Sequence, residues 1–179
     1  QLLAQKSLPS LIEQIDALAR MANEFARFAK LPEPNFEKIE LGAFIAQTIA
    51  LFDEDQTMIH FQEHSSALWI NADKNMLSQV FHNLLLNARQ ATDTSAEPKI
   101  EIELEIEQGT VEIAIKDNGV GISATQQERI FTPYFTTKSS GSGIGLSVVR
   151  QIIEKHNGEI RFESKEGAGT VFYLRFKLA

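Results

Sequence analysis

Cysteine is absent from this chain, and so are long apolar runs. Without cysteine, disulfide bonds and thiolate metal sites are excluded. No apolar run approaches the roughly 20 residues that a membrane-spanning helix needs, and no signal peptide opens the sequence. Because the first residue is Gln1 rather than methionine, we expect a piece of a longer protein, whose membrane segments, if any, belong to missing parts.

Basic residues are in short supply. The 17 Lys and Arg residues are outnumbered by 24 Asp and Glu residues, which gives a formal net charge of −7. Nucleic acids and anionic lipid surfaces both attract basic proteins. We therefore expect no nucleic-acid partner. The lack of cysteine also fits a reducing compartment, and we expect a cytoplasmic location.

The first part of the chain predicts a long amphipathic helix over residues 7–30, with Ser7 and Pro9 at its start. Its apolar residues recur at alternating spacings of three and four, which indicates half of an antiparallel helical hairpin or a bundle with a second chain. A surface helix packed on its own domain is the alternative. The apolar seam comprises Leu8, Leu11, Ile15, Leu18, Ala22, Phe25 and Ala29.

A domain boundary follows this helix. Pro32 and Pro34 end it, because proline lacks an N–H donor and restricts the residue before it. The sequence therefore predicts a helical segment over residues 1–32 and a separate domain over residues 33–179. With 43% apolar residues in the chain, this domain has enough material for an ordinary core.

Hydrophobic periodicity in the domain predicts four helices and six strands, joined by Gly-containing turns. In the longest strand, Ile100, Ile102, Leu104 and Ile106 are expected to point inward. The fold class is α+β: a two-layer α/β sandwich with one mixed, mostly antiparallel sheet and helices on one face. The predicted helices cover 41–52, 73–91, 123–131 and 143–156, and the strands cover 58–62, 67–71, 99–107, 111–115, 159–164 and 170–176.

An acidic residue followed by glycines ends the strand at 111–115. Asp117 is expected to point inward and to accept hydrogen bonds, and adenine carries an exocyclic amino group as donor. Gly119 and Gly121 lack Cβ atoms, which lets a base approach the backbone. A hairpin turn is the alternative for Asp-Asn-Gly, but a helix rather than a strand is predicted next.

A glycine run and a pair of asparagines complete the motifs. Gly141, Gly143 and Gly145 open a helix, whose free N–H groups attract phosphate; Lys138 is either a phosphate contact or a solvated loop residue. Asn83 and Asn87 share one helix face. Their amides could serve Mg²⁺ and phosphate, since magnesium sites borrow substrate phosphates, or they could be capping or core hydrogen-bonding residues.

Together these motifs resemble the ATP-binding domain of sensor histidine kinases, within the superfamily that includes DNA gyrase, MutL and a heat-shock chaperone. The resemblance covers roughly residues 10–179, and residues 12–41 look like the second dimerisation helix and its linker. The loop Phe131-Thr-Pro-Tyr-Phe-Thr-Thr-Lys138 looks most like the nitrogen-regulation branch. The matching segments are 83–91, 117–122, 131–135, 141–146 and 167–172.

The resemblance implies ATP and Mg²⁺ as cofactors. Asp117 would hold the adenine amino group, Thr170 would reach the adenine side, and Asn87 would ligate the metal. The glycines would close a lid over the phosphates, which Phe131 and Phe135 would anchor. The implied nucleotide-contacting set comprises Asn83, Asn87, Gln90, Asp117, Gly119, Gly121, Ile122, Phe131, Thr137, Lys138, Gly141, Gly143, Ile144, Gly145, Leu146 and Thr170.

One departure from the family concerns histidine. The family carries a phosphoacceptor His followed by an acidic residue, but His60, His64, His82 and His156 are not followed by Asp or Glu. We expect ordinary structural roles for all four. The chain should therefore bind nucleotide without phosphorylating itself. The intact homodimeric enzyme would pass the γ-phosphoryl group to a His and then to an Asp of a response-regulator receiver domain.

Three other functions remain open. A nucleotide-driven conformational ATPase is expected to carry a catalytic Glu in the asparagine helix, and none occurs between Gln79 and Ala91. A serine kinase acting on an anti-sigma partner shares the pocket but usually lacks a long dimerisation helix. An interaction domain without nucleotide is the third.

Overall fold

The computed structural model describes residues 31–52, 58–62, 66–138 and 141–179. The predicted helix over residues 7–30 and its apolar seam lie outside these residues, as does His64. The dimerisation-type helix and the domain boundary therefore stay predictions. Within the described residues, no helix has the length and apolar character needed to span a membrane.

The described residues contain seven strands and four helices. A 12-residue helix follows the first strand, and a 19-residue helix precedes the longest hairpin. The elements are β1 (Glu37–Glu40), α1 (Leu41–Phe52), β2 (Ile59–Phe61), β3 (Trp69–Ala72), α2 (Lys74–Thr92), β4 (Ile100–Glu107), β5 (Thr110–Asp117), α3 (Ala124–Gln127), α4 (Gly145–Lys155), β6 (Glu159–Lys165) and β7 (Gly169–Lys177).

Five strands form the main sheet in the order β2-β4-β5-β7-β6, and β1 pairs with β3 in a separate two-stranded sheet. The β2–β4 pair is parallel, whereas every other pair in the main sheet is antiparallel. The predicted mixed, mostly antiparallel sheet is confirmed, but the strand predicted at 67–71 corresponds to β3 and lies outside it, paired with β1. The β4–β5 turn has positive φ at both Gln108 and Gly109, the backbone that a tight two-residue hairpin requires.

The two faces of this sheet differ in chemistry because side chains alternate along each strand. The inner face is apolar: Ile115 lies between Ile102 and Phe172 in one cross-strand row, and all three are buried. The outer face is charged, and Arg161 and Glu112 form an ion pair there. The apolar face packs under the helices, as the predicted two-layer sandwich requires.

Helix α2 is the central helix of that layer. Asp73 caps its N-terminus by accepting a hydrogen bond from the Met76 N–H at 2.9 Å, as capping carboxylates do. Phe81 is fully buried and meets Phe44 of α1 edge-on, with ring centroids 5.5 Å apart. Full burial of such a side chain contributes about 2–3 kcal/mol, so this contact stabilises the packing of α2 against α1.

The segment that leads into β1 is attached to the ends of α2 and α4. The Asn35 N–H donates to Asp73 Oδ2 at 2.8 Å, and Lys155 pairs with Glu33 at 2.7 Å. The buried His156 ring accepts a hydrogen bond from the Asp73 N–H through Nε2 at 2.9 Å. His156 thus has the structural role predicted for it.

Three sequence predictions need correction. Residues 123–131 are not one helix: only Ala124–Gln127 is helical, and turns follow to Phe131. Ile106 does not point into the core but is 41% exposed, because β4 runs past the edge of the helix layer. Helix α4 begins at Gly145 rather than at residue 143, because Gly143 has φ +70°, outside the helical region.

Candidate nucleotide-binding site

The apolar face of the sheet ends in a polar row. Asp117 is paired with Thr170, and Thr170 is paired with Ser164, in the register next to the apolar Ile115–Phe172–Phe162 row. Directly paired residues point to the same face of a sheet, and residues two apart along a strand share that face. The three polar side chains therefore face the helix layer at the end of the sheet.

Asp117 is half-buried and held in one orientation. Its Oδ1 accepts hydrogen bonds from the Gly119 N–H at 2.9 Å and the Thr170 N–H at 3.3 Å. Burial raises the pKa of Asp117, and these hydrogen bonds together with the Lys138 charge oppose that rise. Oδ2 accepts no hydrogen bond from the described part of the chain. One carboxylate oxygen is thus left for a donor on a ligand.

The glycines after Asp117 are needed for contacts within the protein. A Cβ on Gly119 would lie 2.4 Å from the Ala91 carbonyl oxygen, at the end of α2. That carbonyl accepts the Val120 N–H at 3.0 Å. Gly121 has φ +68°, and its Cβ would lie 2.1 Å from the Lys165 carbonyl oxygen. The missing Cβ atoms are thus explained without a bound base, which differs from the reason the sequence suggested.

Replacing Gly119 with alanine is expected to lower the free energy of unfolding by about 2–4 kcal/mol, because backbone atoms of α2 and β5 must separate. Urea unfolding measures this loss. The control is Gly109→Ala, which has a positive φ but no atom within 4 Å of the added Cβ. It should cost about 1 kcal/mol. Equal losses for the two variants would contradict the close contact with α2.

Lys138 joins the loop after α3 to the asparagine face of α2. Its Nζ donates to Asn87 Oδ1 at 3.1 Å and to Gln90 Oε1 at 2.5 Å. The side chain reaches solvent, but burial of its head group lowers the pKa of Lys138, and Asp93 and Asp117 oppose that shift. The ammonium lies where the two amide oxygens converge, so this position already accepts a cation.

The glycine run lies against the same helix. Asn83 Nδ2 donates to the Gly145 carbonyl at 3.4 Å, where α4 begins. No side chain caps the N-terminus of α4 at Ile144. Gly143 has φ +70°, and a Cβ there would lie 2.5 Å from the Tyr134 carbonyl carbon. Residues 134 and 143 pass close to each other in the segment between α3 and α4, whose described residues 128–138 and 141–144 we call the lid.

Aromatic residues fasten the lid to the sheet and to α4. Phe131 meets Phe162 edge-on with ring centroids 5.8 Å apart, and the Arg150 guanidinium stacks over Phe131 at 4.6 Å. Arg129 lies over Phe135 at 4.5 Å within the lid itself, and Phe135 is partly buried against the core. Cation–π contacts of this kind contribute about 0.5–2 kcal/mol each. The contacts of Phe131 join the lid to β6 and α4, and the anchoring role of both phenylalanines stays a prediction.

The predicted set therefore forms two groups. Asp117 and Thr170 meet at the sheet end, and Asn83, Asn87, Gln90 and Gly145 meet around the lid, with Lys138 facing both groups. Ile122, Gly141 and Leu146 are half-buried beside them, Ile144 is buried, and Thr137 is exposed on the lid. A cavity of about 580 Å³ lies elsewhere, between Phe131, Arg150 and Phe162, and none of the other predicted residues lines it.

Two polar residues of this region were missed from the sequence. Ser164 accepts a hydrogen bond from the Ile122 N–H at 2.9 Å and contacts Thr170 Oγ1 at 2.9 Å. Gln127 Nε2 donates to the Ile122 carbonyl at 2.9 Å and to the Ser164 carbonyl at 3.1 Å. Ser164 lies two residues after Phe162 on one strand, so its side chain points to the same inner face, and this pattern could have identified it from the sequence.

An α/β sandwich with an oriented carboxylate at the sheet end, an amide face on α2 and a glycine-containing lid defines a class of nucleotide-binding domains. Residues 72–179 match the profile of the histidine kinase-, DNA gyrase B-, and HSP90-like ATPases. The chain belongs to this family, as an ATPase catalytic domain of the two-component sensor histidine kinase type.

Named relatives agree with this assignment. The chain is 35% identical to the signal transduction histidine-protein kinase AtoS of Escherichia coli over 95% of its own residues. It is 30% identical to the nitrogen regulation protein NtrY of Azorhizobium caulinodans over 94%, so the expected nitrogen-regulation branch is among its relatives. The chain spans 28% and 23% of the length of these two proteins.

Solved structures agree as well. The catalytic domain of the histidine kinase ThkA is 33% identical to the chain, with a TM-score of 0.70, over 80% of this chain and 95% of that domain. ThkA in complex with the response regulator protein TrrA is 26% identical, with a TM-score of 0.73, over 98% of this chain and 52% of that one. Both comparisons identify the same fold.

Proposed function

We propose that ATP binds with its adenine amino group donating to Asp117 Oδ2. The observation that carries this proposal is the orientation of the carboxylate: Oδ1 is held by the Gly119 and Thr170 N–H groups, and Oδ2 is left for a ligand. An ionised carboxylate only accepts hydrogen bonds. The site is therefore matched to a base edge that donates, with Gly119, Gly121, Ile122 and Thr170 around it.

The triphosphate extends from Asp117 toward the start of α4. Uncapped N–H groups at the first turn of this 11-residue helix attract anions. Gly141, Gly143, Ile144, Gly145 and Leu146 supply the backbone of this turn. Thr137 and Lys138 extend the site along the lid, and the Lys138 ammonium balances part of the phosphate charge.

Asn87 fits a magnesium ion. The described residues hold no group of three or more His, Asp or Glu that could bind a metal by themselves. However, Asn87 Oδ1 already accepts the Lys138 ammonium as a stand-in cation. An amide oxygen together with phosphate oxygens and waters is a ligand set that Mg²⁺ accepts. When bound, the ion would neutralise phosphate charge, and Gln90 and Asn83 would orient the phosphates from the same helix face.

In the whole protein, the γ-phosphoryl group would pass to a His outside this chain and then to a receiver-domain Asp. Positioning and charge neutralisation supply most of the catalysis in phosphoryl transfer. The asparagine helix lacks the Glu expected of a water-activating ATPase, which supports transfer over hydrolysis. The ThkA–TrrA complex supports a response-regulator partner. Homodimerisation through residues 1–32 and a cytoplasmic location, where ATP is available, belong to the same proposal.

A transfer assay tests this function. The chain is mixed with a helical hairpin from a sensor kinase of the same branch that carries the phosphoacceptor His, and with γ-labelled ATP. Acid-labile, base-stable label on the hairpin is the expected result, since phosphohistidine has that lability. Label released only as free phosphate, at the same rate with and without the hairpin, would indicate an ATPase instead.

The lid is expected to be protected by nucleotide. Limited proteolysis should cut between residues 132 and 142 in the free protein and several-fold more slowly with Mg²⁺–ATP, because phosphate contacts hold the lid backbone. The turn at Gly109, far along the sheet from Asp117, is the internal control. A lid that is cut at the same rate in both states does not close over the nucleotide.

A further inference from the structure

Ser164 is the most connected hydroxyl of the described residues near Asp117. It lies on β6, opposite Thr170, and faces the helix layer. Its Oγ accepts from the Ile122 N–H at 2.9 Å, lies 3.0 Å from the Gly169 carbonyl oxygen and lies 2.9 Å from Thr170 Oγ1. One hydroxyl thus connects β6, β7 and the loop that follows β5.

Each of these partners borders the proposed adenine position. The Thr170 N–H donates to Asp117 Oδ1, Ile122 follows the glycines after Asp117, and a Cβ on Gly169 would lie 2.0 Å from the Asp117 carbonyl oxygen. Ser164 thus bonds to Thr170, whose N–H holds the carboxylate, and to two backbone groups next to Asp117. Gln127 holds the same assembly from outside, through the Ile122 and Ser164 carbonyls.

We propose that Ser164 is a positioning residue that makes the site select a 6-amino purine over a 6-oxo purine; this rests on the proposed adenine site. Thr170 is only 4% exposed, and its hydroxyl is engaged with Ser164. While it is engaged, the base edge meets only acceptor oxygen at Asp117. A 6-oxo purine then places an acceptor against an acceptor, which a site built for a donor rejects.

Removing the Ser164 hydroxyl releases that restraint. A buried hydroxyl without a partner is costly, so the Thr170 O–H is then available to Asp117 and the base. There it can donate to a 6-oxo oxygen. Loss of Ser164 should therefore weaken ATP binding and leave binding of a 6-oxo nucleotide unchanged or improved.

Calorimetry with ATP and inosine triphosphate tests this inference, because the two differ only at the purine 6-position and the N1 proton that follows from it. For the unmodified chain, ATP should bind at least about tenfold more tightly. Ser164→Ala should weaken ATP binding about tenfold and the binding of inosine triphosphate by less than about twofold. Ser164→Thr should keep the original ratio of the two affinities. Ser78→Ala, which removes a hydroxyl bonded to Lys74 on α2, should leave the affinity for either nucleotide unchanged.

Thermal unfolding of each variant shows whether the fold is kept. If the alanine variant unfolds, Ser164→Cys replaces it, because cysteine is similar in size to serine and forms weaker hydrogen bonds. The inference would be overturned if Ser164→Ala weakened the binding of both nucleotides equally. It would also be overturned if a folded Ser164→Thr variant did not keep the original ratio of the two affinities. If the proposed adenine site itself is wrong, the result is different. The unmodified chain would then bind both nucleotides equally, and Asp117→Asn would change neither affinity.

Discussion

Replacing Asp117 with asparagine is expected to abolish ATP binding while the fold is kept. The amide oxygen can still accept from the Gly119 and Thr170 N–H groups, as Oδ1 does in the original residue. The amide nitrogen then takes the place of Oδ2 and puts a donor against the amino group of adenine. A site whose hydrogen bond is reversed in this way loses about a hundredfold or more in affinity, which calorimetry measures.

The matched control is Asp93→Asn, which removes an acidic charge that also faces Lys138. It should keep ATP affinity within about threefold, since exposed charges contribute little. If Asp117→Asn binds ATP as well as the original chain does, the adenine assignment is wrong. If both variants lose affinity equally, the effect comes from net charge rather than from recognition of the base.

The pH dependence of this site has a definite sign. Burial raises the pKa of Asp117 above its unfolded value. The folded state therefore binds more protons than the unfolded state between the two pKa values, and the contribution of this residue to stability falls as pH rises through that window. At neutral pH the nucleotide-free Asp117→Asn domain should thus melt no lower than the original. ATP affinity should fall as pH drops through the raised pKa, because the protonated carboxyl is a poorer acceptor.

Asn87→Ala is the second substitution with a large expected effect. It removes the amide oxygen that accepts the Lys138 ammonium and that would ligate Mg²⁺. ATP affinity in the presence of Mg²⁺ should fall about tenfold to a hundredfold, the usual range for losing part of a metal site. Affinity with a chelator present should change by less than about threefold. Titration of ATP under the two conditions gives both values.

The control for this experiment is Asn75→Ala, at the exposed first turn of the same helix. It should leave both affinities unchanged. Should Asn87→Ala weaken binding by the same factor with and without Mg²⁺, Asn87 orients the lid or the phosphates and does not ligate the metal. That outcome would leave the adenine site at Asp117 untouched.

Much of the sheet was predictable because its strands alternate cleanly. The residues from Ile100 to Ile106 and from Val111 to Ile115 have a period of two, and the turn between them allows positive φ at Gly109. Nearest-neighbour hairpins follow from such patterns. The parallel pairing of Ile59 with Ile100 joins distant parts of the chain. No local pattern specifies that pairing, because it depends on how α2 crosses between the two strands.

The site was predictable only in part, for a similar reason. Asp117 and the glycines carry a local motif, but the need for Gly119 comes from the Ala91 carbonyl, a backbone atom of another element. The helix predicted over residues 123–131 ends at Gln127. The Gln127 side chain bonds to Ile122 and Ser164, and Phe131 leaves the helical path to pack on Phe162. Tertiary contacts of this kind override helical propensity.

The attachment of Glu33 and Asn35 has a mechanical consequence. Glu33 is tied to Lys155 near the end of α4, and Asn35 is tied to Asp73 at the start of α2, so a displacement of this segment would act on both helices. Those two helices meet again at their other halves, where Asn83 bonds to Gly145. A displacement of residues 33–35 would therefore act on α2 and α4 together, and a relative shift of these helices would change the Asn83–Gly145 contact beside the proposed phosphate position.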